Sequence, residues 1–547
     1  MTILTIPKKQ FEKDIGKIDE KMEERIAMFG TPVEQINDEE ISIEIFPNRP
    51  DLLAYQNYKK AFLSFLGKNK IFRKLNVKSS GEKMVVEKSV PKEWPYAYAC
   101  IVKGLKLDDS KIKEIIDIQE KLGMILLRKR KKGGIGLYPL DKINFPIKLK
   151  GMEPNEIKFR PLEYPEEITG KQILSKHSTG REYAPIVEGW EKLPVFVDSK
   201  NVIMSMPPII NSHDVGKIDE TTKDVFIEVT GTDSNVIKSA LNILVLALEE
   251  MGGKIYSIDC VQQDGKKAKI PDFAPKKIKL KIENAHKFLG IYLKEIDVKN
   301  LLLKMGLEYK KGVVEVPSYR IDVLHEVDVI EDIAIAYGYD NFVPEIPDFA
   351  SIGSLDKKSI VKEKIAQILS GLSLQEVSSY HLTNKEFQLK KLGDKSEFVE
   401  VLDSKTDYNI LRKDLSHYML RIFYENSDVE YPQEIFQIGK VFSGKDGLDE
   451  RDNLAISLAP GNFTKLKQII EYLGKMLGVE LAISKPSLKI SENNNYFIDG
   501  RFAEIKFGDR VLGFLGEVHP KTLKSFKIKM PVALCEINLD ELFKKLI

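Results

Sequence analysis

The sequence predicts a multidomain α+β protein. At 547 residues it is long enough for about three to five domains of ordinary size. Short alternating strands and amphipathic helices are interspersed along the whole chain. Proline-rich breaks at 271–275 and 344–348 separate stretches of different pattern. A hydrophobic content of 43% with 30% charged residues gives material for several cores.

The first stretch, 1–85, opens with a helical pattern over 11–28. A strand follows, in which Ile41, Ile43 and Ile45 alternate with polar residues. Pro47 and Pro50 break it, and a helix starts near Asp51. Leu52, Tyr55, Tyr58, Phe62, Phe65 and Leu66 form its buried stripe, and Gly67 caps its C-terminus. The lysine-rich segment 68–92 reads as an exposed connection. The second stretch, 93–270, mixes strands at 96–102, 193–197 and 225–229 with helices at 110–122 and 234–250. The third, 276–345, carries helices at 283–289 and 296–305, a strand near 314–317, and an acidic helix. The fourth, 350–547, alternates helices at 357–369 and 463–476 with strands at 376–382, 434–442, 502–507 and 510–517. No internal repeat or low-complexity region appears.

Several function classes are excluded. Net charge is only +2, so no global field advertises nucleic-acid binding, and any RNA contact must come from local patches. Cys100, Cys260 and Cys535 are far apart and give neither a disulfide framework nor a zinc site. There is no phosphate-binding GxxxxGK[ST] loop, no GxGxxG after a strand and no GxSxG elbow. The seven histidines are scattered singly, so no catalytic centre of a familiar type is visible. No apolar run spans a bilayer and no signal peptide opens the chain, which points to a cytoplasmic protein.

The run from Tyr319 to Tyr339 is the most informative. Val329, Ile330, Ile333, Ala334 and Tyr337 fit one helical stripe. Asp328, Glu331 and Asp332 stand at i, i+3 and i+4, and Asp322 lies just upstream. Two readings stand open. Acids in a first helical turn favour the macrodipole and need no metal. Four converging carboxylates would otherwise call for a hard cation such as Mg²⁺ or Ca²⁺.

Other segments are ordinary by default but suited to ligands. Arg128 to Lys132 is a five-residue basic block, either a solvated surface or a phosphate contact. Gly133, Gly134 and Gly136 follow and would let a ligand approach the backbone. The double proline at 207–208 stiffens the approach to Asn211, Ser212 and His213. Thr230 to Asp233 is a polar cluster at a strand end.

Six segments in order resemble the beta subunit of phenylalanyl-tRNA synthetase in its archaeal or eukaryotic form. They are 47–53 (PNRPDLL), 119–141, 207–212, 225–233, 316–339 and 513–520 (GFLGEVHP), and they are spread along nearly the whole chain. The resemblance implies four parts: an N-terminal domain at 1–85, an editing domain at 93–270, a small winged-helix-like domain at 276–345, and at 350–547 an antiparallel-sheet domain folded like a class II synthetase core. That last domain lacks the phosphate-binding arginines of class II catalysis, so adenylation falls to an alpha subunit, and two alpha and two beta chains are implied. Mg²⁺ is implied at Asp322, Asp328, Glu331 and Asp332. Hydrolysis of tyrosine wrongly attached to the phenylalanine tRNA is implied for Gln119, Arg130, Asn211, Ser212, Thr230 and Asp233, because a phenylalanine pocket discriminates poorly against one extra hydroxyl. The sequence departs from the family pattern at Pro139, Ser178 and Gly216. Three functions stay open: a noncatalytic, editing-competent subunit, an independent tRNA-editing hydrolase, and an RNA-binding or scaffolding protein without activity.

Overall fold

The fold is that of a computed structural model describing residues 2–69, 72–444, 447–486 and 496–547. It forms two compact units, Met1–Ile346 and Pro347–Ile547. The break falls within the second of the two proline-rich segments. The three stretches expected upstream of it share one contiguous hydrophobic core from Leu4 to Ala336.

In the first unit, strands Thr2–Pro7, Val33–Ile36 and Glu40–Ile45 make a small antiparallel sheet. Its centre is the Ile41, Ile43, Ile45 strand, whose alternation was legible. The expected single helix over 11–28 is two helices, Lys8–Asp14 and Glu20–Met28, the second capped by Asp19. The helix expected from Asp51 begins as a 3₁₀ turn, Pro50–Leu52, and continues as Tyr55–Phe65. Gly67 follows it with φ +81°, a conformation glycine adopts at little cost.

A ten-stranded sheet comes next. Its inner run is 147–152, 77–86, 254–261, 96–103, 225–231, 133–139, and strand Val77–Val86 lies parallel to both its neighbours. That strand corrects the expected exposed connection over 68–92. Its lysines and serines mark a half-exposed strand, and non-local pairing supplies the rest. (Lys70 and Ile71 lie outside the described residues.) Helix Ser234–Glu250 packs on the sheet and is buried from Ala240 through Leu248. An apolar surface all round a helix requires cover on every side. The sheet provides one side and helix Tyr55–Phe65 another, with Asn57 Nδ2 donating to Ile243 O at 3.2 Å. Ser64 Oγ donates to Leu303 O at 3.1 Å, tying the same helix to the third stretch. There, strands Lys276–Lys279, Glu308–Lys310 and Val313–Val316 form a sheet beside helices Ile282–Leu289, Glu295–Lys304 and Glu326–Tyr337.

The second unit is built on a seven-stranded sheet, in strand order 375–376, 433–443, 449–459, 533–538, 510–518, 497–507, 482–484. Every pairing but the first is antiparallel. Alternate residues face opposite sides. Phe436, Leu454 and Ile456 face a core closed by helices Lys357–Gly371, Phe463–Leu477 and Asp540–Leu546. Ile435, Val441 and Ala455 face a second core under helix Ser416–Glu425. The strand expected over 376–382 is two short pieces, Gln375–Glu376 and Leu382–Thr383, in different sheets.

Candidate functional site

The four acids of the 319–339 run do not converge. Arg320 lies among them instead, its side chain 3% exposed. Its Nη2 donates to Asp322 Oδ2 at 2.8 Å and to Asp332 Oδ2 at 2.8 Å, Nε donates to Asp322 Oδ1 at 3.0 Å, and Nη1 donates to Met305 O at 3.2 Å. Asp328 is used elsewhere: its Oδ2 accepts from the backbone N–H groups of Leu324 and His325 at 2.7 and 2.8 Å, closing the helix start. Glu331 is exposed, while its neighbour Asp332 is buried. The two carboxylates flank the line through Asp328, one turned to the core and the other to the surface. Among the described residues, no group of three or more His, Cys, Asp or Glu stands so as to hold a metal ion. In the isolated chain Asp322, Asp328, Glu331 and Asp332 are therefore not placed together as one carboxylate group. The cation that settles two of the four is a guanidinium from the same run.

The network reaches the PNRPDLL segment. Arg49 donates from Nε and Nη2 to Asp51 at 2.9 and 2.8 Å, and Asp51 is buried. Burial pushes the Asp322 carboxyl up, but Arg320, with Arg49 beyond it, holds it below the ordinary carboxylate range. Asp332 lies deeper, and burial carries it up to about 6 against the pull of the same two arginines. Burial pulls the Arg320 guanidinium down, but Asp332 and Asp322, with Asp51 beyond them, hold it well above its ordinary value. Two ion-pair groups about 270 residues apart in the chain thus lie within electrostatic reach of each other.

The second group of predicted residues lies on the ten-stranded sheet. Helix Asp109–Met124 ends in a left-handed turn, with Arg128, Lys129 and Arg130 at φ 49°, 53° and 62°. Each costs about 1 kcal/mol for a residue with a Cβ, so the surroundings must enforce the turn. The backbone doubles back, Arg130 N donating to Gly123 O at 3.1 Å and Lys132 N to Leu127 O at 2.9 Å. Arg128, Lys129 and Lys131 are left exposed, and Arg130 is directed inward. Arg130 Nη1 donates to Ile209 O at 2.9 Å and Pro208 O at 3.2 Å, and its guanidinium lies 4.3 Å from the centre of the Tyr183 ring. It fixes the 207–212 loop over the sheet.

Under that loop is a cradle. Glu228 and Thr230 are two apart on strand Val225–Gly231 and share a face. Gly136 and Gly134 flank them on one neighbouring strand, Ala99 and Ala97 on the other. A Cβ on Gly134 would lie 3.3 Å from Pro208 Cα, and one on Gly136 would collide with the Glu228 carboxyl and the Tyr138 hydroxyl. Tyr138 Oη donates to Glu228 Oε1 at 3.2 Å and lies 3.4 Å from Asn211 Oδ1. Glu228 Oε2, Thr230 Oγ1 and Thr232 Oγ1 are buried with no partner. Burial lifts the Glu228 carboxyl to about 8, with the Tyr138 hydrogen bond opposing, so it is mostly uncharged at pH 7. Buried polar atoms normally find partners, and three orphans together mark a place where a polar ligand could sit.

Arg130, Asn211 and Thr230 are therefore brought together. Ser212 is beside them, buried, its N–H donating to Met204 O at 2.8 Å. Asp233 serves the fold: its Oδ1 accepts from Asn235 N and Val236 N at 2.9 and 3.3 Å, capping helix Ser234–Glu250. Gln119 is half-buried on helix Asp109–Met124 and is not hydrogen-bonded to the others. Of the three departures, Gly216 has a visible cause, since a Cβ there would lie 2.9 Å from Asn211 Cβ. Pro139 ends strand Gly133–Pro139 and Ser178 opens helix Ser178–Tyr183, both clear of the cradle floor. Sequence reasoning missed Glu228. The available signal was a carboxylate in the middle of Val-Phe-Ile-Glu-Val, a run otherwise fit only for burial.

Comparison with known proteins covers both regions. A family model described as the tRNA synthetase B5 domain matches residues 278–339. One described as the phenylalanyl tRNA synthetase beta chain CLM domain matches residues 344–539. The phenylalanine–tRNA ligase beta subunit of Archaeoglobus fulgidus is 33% identical over 554 residues, spanning 99% of each chain. That of Pyrococcus horikoshii is 35% identical over 509 residues, spanning 91% of this chain and 90% of the other. The crystal structure of an N-terminal fragment of the Pyrococcus horikoshii phenylalanyl-tRNA synthetase beta-subunit matches with a TM-score of 0.58 at 34% identity, covering 61% of this chain and 99% of the fragment.

Two measurements check the geometry. Arg320→Met leaves Asp322 and Asp332 without their cation and should cost about 3–5 kcal/mol of unfolding free energy, whereas chelator should leave the unfolding midpoint of the isolated chain unmoved. A midpoint lowered by chelator would restore the metal. For Glu228, the folded state holds a proton that the unfolded state loses near pH 4.5. Its contribution is complete below that pH and is lost as pH rises to about 8. Urea unfolding at pH 5 and pH 8 should show this loss in the native chain and less of it in Glu228→Gln. Equal pH dependence in both would show that Glu228 is charged.

Proposed function

The chain belongs to the family of phenylalanine–tRNA ligase beta subunits, and from that premise we propose that it is the noncatalytic subunit of the ligase and hydrolyses mischarged Tyr-tRNA at the Glu228 cradle. Adenylation of phenylalanine and its transfer to tRNA fall to an alpha subunit, two chains of each kind forming the enzyme in the cytoplasm. The second unit supports the noncatalytic role. Arg412, buried on its sheet, spends Nε on Lys440 O at 2.7 Å and Nη1 on Ser379 O at 3.0 Å, so neither is left for a nucleotide phosphate. Glu536, half-buried, is also engaged there, accepting from the N–H groups of Leu415 and Ser416 and from the Asn453 amide at 2.7 Å. An open groove of about 600 Å³ elsewhere in that unit is lined by Tyr380, His381, Tyr408, Tyr418 and Arg421, none of them a predicted site residue.

The observation that carries the editing reading is the buried Glu228 carboxyl, with one oxygen unpaired, on a floor of glycine and alanine. A phenol hydroxyl reaching that floor would complete the orphaned hydrogen bonds. A phenyl ring would leave them empty, and a site built to hydrogen-bond a hydroxyl rejects the analogue without it. The pocket would then select tyrosine for removal and spare phenylalanine. Attack falls to a water molecule. The thiols of Cys100, Cys260 and Cys535 are buried and pushed up by burial, so none supplies a thiolate. Arg130 is a positioning residue, holding the 207–212 loop that closes the pocket. The basic block beside it presents Arg128, Lys129 and Lys131 to the phosphates of the acceptor end.

An assay of Tyr-tRNA hydrolysis by the complex with its alpha subunit tests this. Glu228→Ala should reduce hydrolysis by about ten- to a hundredfold, the value of one buried hydrogen bond, while phenylalanine activation persists. Arg130→Lys keeps the charge but loses the planar fork and should be nearly as harmful as Arg130→Ala. ATP–pyrophosphate exchange with phenylalanine should be absent from the chain alone and appear on mixing. Hydrolysis by the chain alone with no effect of mixing would favour an independent hydrolase. No hydrolysis in either state would leave a scaffolding role.

A further inference from the structure

The second unit holds a groove that neither the cradle nor the ionic network uses. Its volume is about 600 Å³, within the range of small-molecule sites. Helix Ser416–Glu425 forms one wall. Tyr418, Arg421, Ile422 and Glu425 stand at i, i+3, i+4 and i+7 and so share one face of it. Met419, Leu420 and Phe423 are turned to the core. A second wall is the segment 378–382.

Both walls are held by the protein's own hydrogen bonds. Tyr418 Oη donates to Leu382 O at 2.6 Å and ties the helix to the 378–382 segment. Arg412, itself buried, donates from Nη1 to Ser379 O at 3.0 Å. The Arg421 guanidinium lies 4.4 Å from the centre of the Phe387 ring, and 5.6 and 5.8 Å from those of Tyr408 and Tyr418. Its Nε donates to Glu425 Oε1 at 2.6 Å. Rings and an ion pair together restrict this side chain, and a preorganised site loses less entropy on binding. Tyr380 completes the lining and is 80% exposed.

The charges select a class of ligand. Arg421 and Glu425 are the two charged residues among those described in the lining, and they sum to zero. Burial, and then the Arg412 guanidinium, holds the His381 imidazole below its ordinary value, so it adds no charge at pH 7. A phosphate would meet the Glu425 carboxylate, and a simple cation would meet the Arg421 guanidinium. A zwitterion with its two charges close together meets neither penalty. An α-amino acid is such a zwitterion, its ammonium and carboxylate joined through one carbon. A guanidinium has five N–H donors. Glu425 takes one and Tyr408 is within reach of another, so a carboxylate can be received on the rest. The ammonium then falls beside the Glu425 carboxylate. The rings of Tyr380 and Tyr408 are left for the side chain, and aromatic rings pair favourably in edge-on or offset contact.

We propose that this groove binds a free aromatic α-amino acid, with its carboxylate on Arg421, its ammonium on Glu425 and its ring against Tyr380 and Tyr408. The proposal stands on the groove alone and depends on neither the editing nor the subunit reading.

The test is calorimetric titration of the full chain with L-phenylalanine and L-tyrosine. Both should bind with dissociation constants in the millimolar range or below. Phenylpropionate lacks the ammonium, phenethylamine lacks the carboxylate and leucine lacks the ring. Each should bind at least about tenfold more weakly than phenylalanine. Tyr380→Ala and Glu425→Gln should each weaken phenylalanine binding by about five- to tenfold. The unfolding midpoint of both variants should be unchanged, because both side chains are exposed. Hydroxyl-radical labelling of Tyr380 should fall when phenylalanine is added. No binding in the millimolar range would overturn the groove site. So would binding of phenylpropionate or phenethylamine as tight as that of phenylalanine. Binding lost in Glu228→Ala but kept in Tyr380→Ala and Glu425→Gln would place the amino acid in the cradle and overturn the groove site as well.

Discussion

A buried carboxylate needs a buried cation, and Arg320 is where this chain supplies one. The guanidinium satisfies Asp322 and Asp332 and reaches the carbonyl of Met305. Arg49 and Asp51 stand within electrostatic reach. Such a network adds little net stability over a well-packed apolar alternative, but removing one partner is costly. Its direct effect is local: it ties the start of the helix Glu326–Tyr337 to the Arg320–Asp322 segment before it and to Met305. The helix after the Pro50–Leu52 turn, Tyr55–Phe65, packs on Ser234–Glu250, whose other side supports the sheet carrying the cradle.

Arg130 repeats the device on a smaller scale. A strained left-handed turn directs one guanidinium at two carbonyls, and the loop they belong to is held over the small-residue floor. The floor under it is small residues around one carboxyl. Precision here comes from the protein's own hydrogen bonds, which leave only the atoms on the floor free. That division explains why the predicted cluster splits: Asp233 caps a helix, Arg130 shapes the roof, and Glu228 and Thr230 hold the unpaired groups.

Much of this was legible in the sequence. The alternation at Ile41, Ile43 and Ile45, the apolar run Ile243–Leu248 within the helix from Ser234 and the breaks at proline gave the elements and the boundary near residue 346, because each is a local signal. Val77–Val86 was read as a loop because its own residues are polar and only pairing with distant strands makes it one. The acidic cluster was visible, yet the placement of its members was not. Spacing placed Asp328, Glu331 and Asp332 together, while burial sent Asp332 inward and Glu331 outward, and burial is not a property of spacing. The cation was in the same run, two residues before Asp322, but an arginine next to acids in sequence carries no sign of which of them it will reach.

The most direct test of the Arg320 assignment is a crystal of the isolated chain grown or soaked in Mn²⁺, with anomalous scattering used to locate the ion. The expected map has no anomalous peak among Asp322, Asp328, Glu331 and Asp332, with the Arg320 guanidinium between the first and last of them. A peak bonded to three of the four carboxylates, with Arg320 turned away, would contradict it.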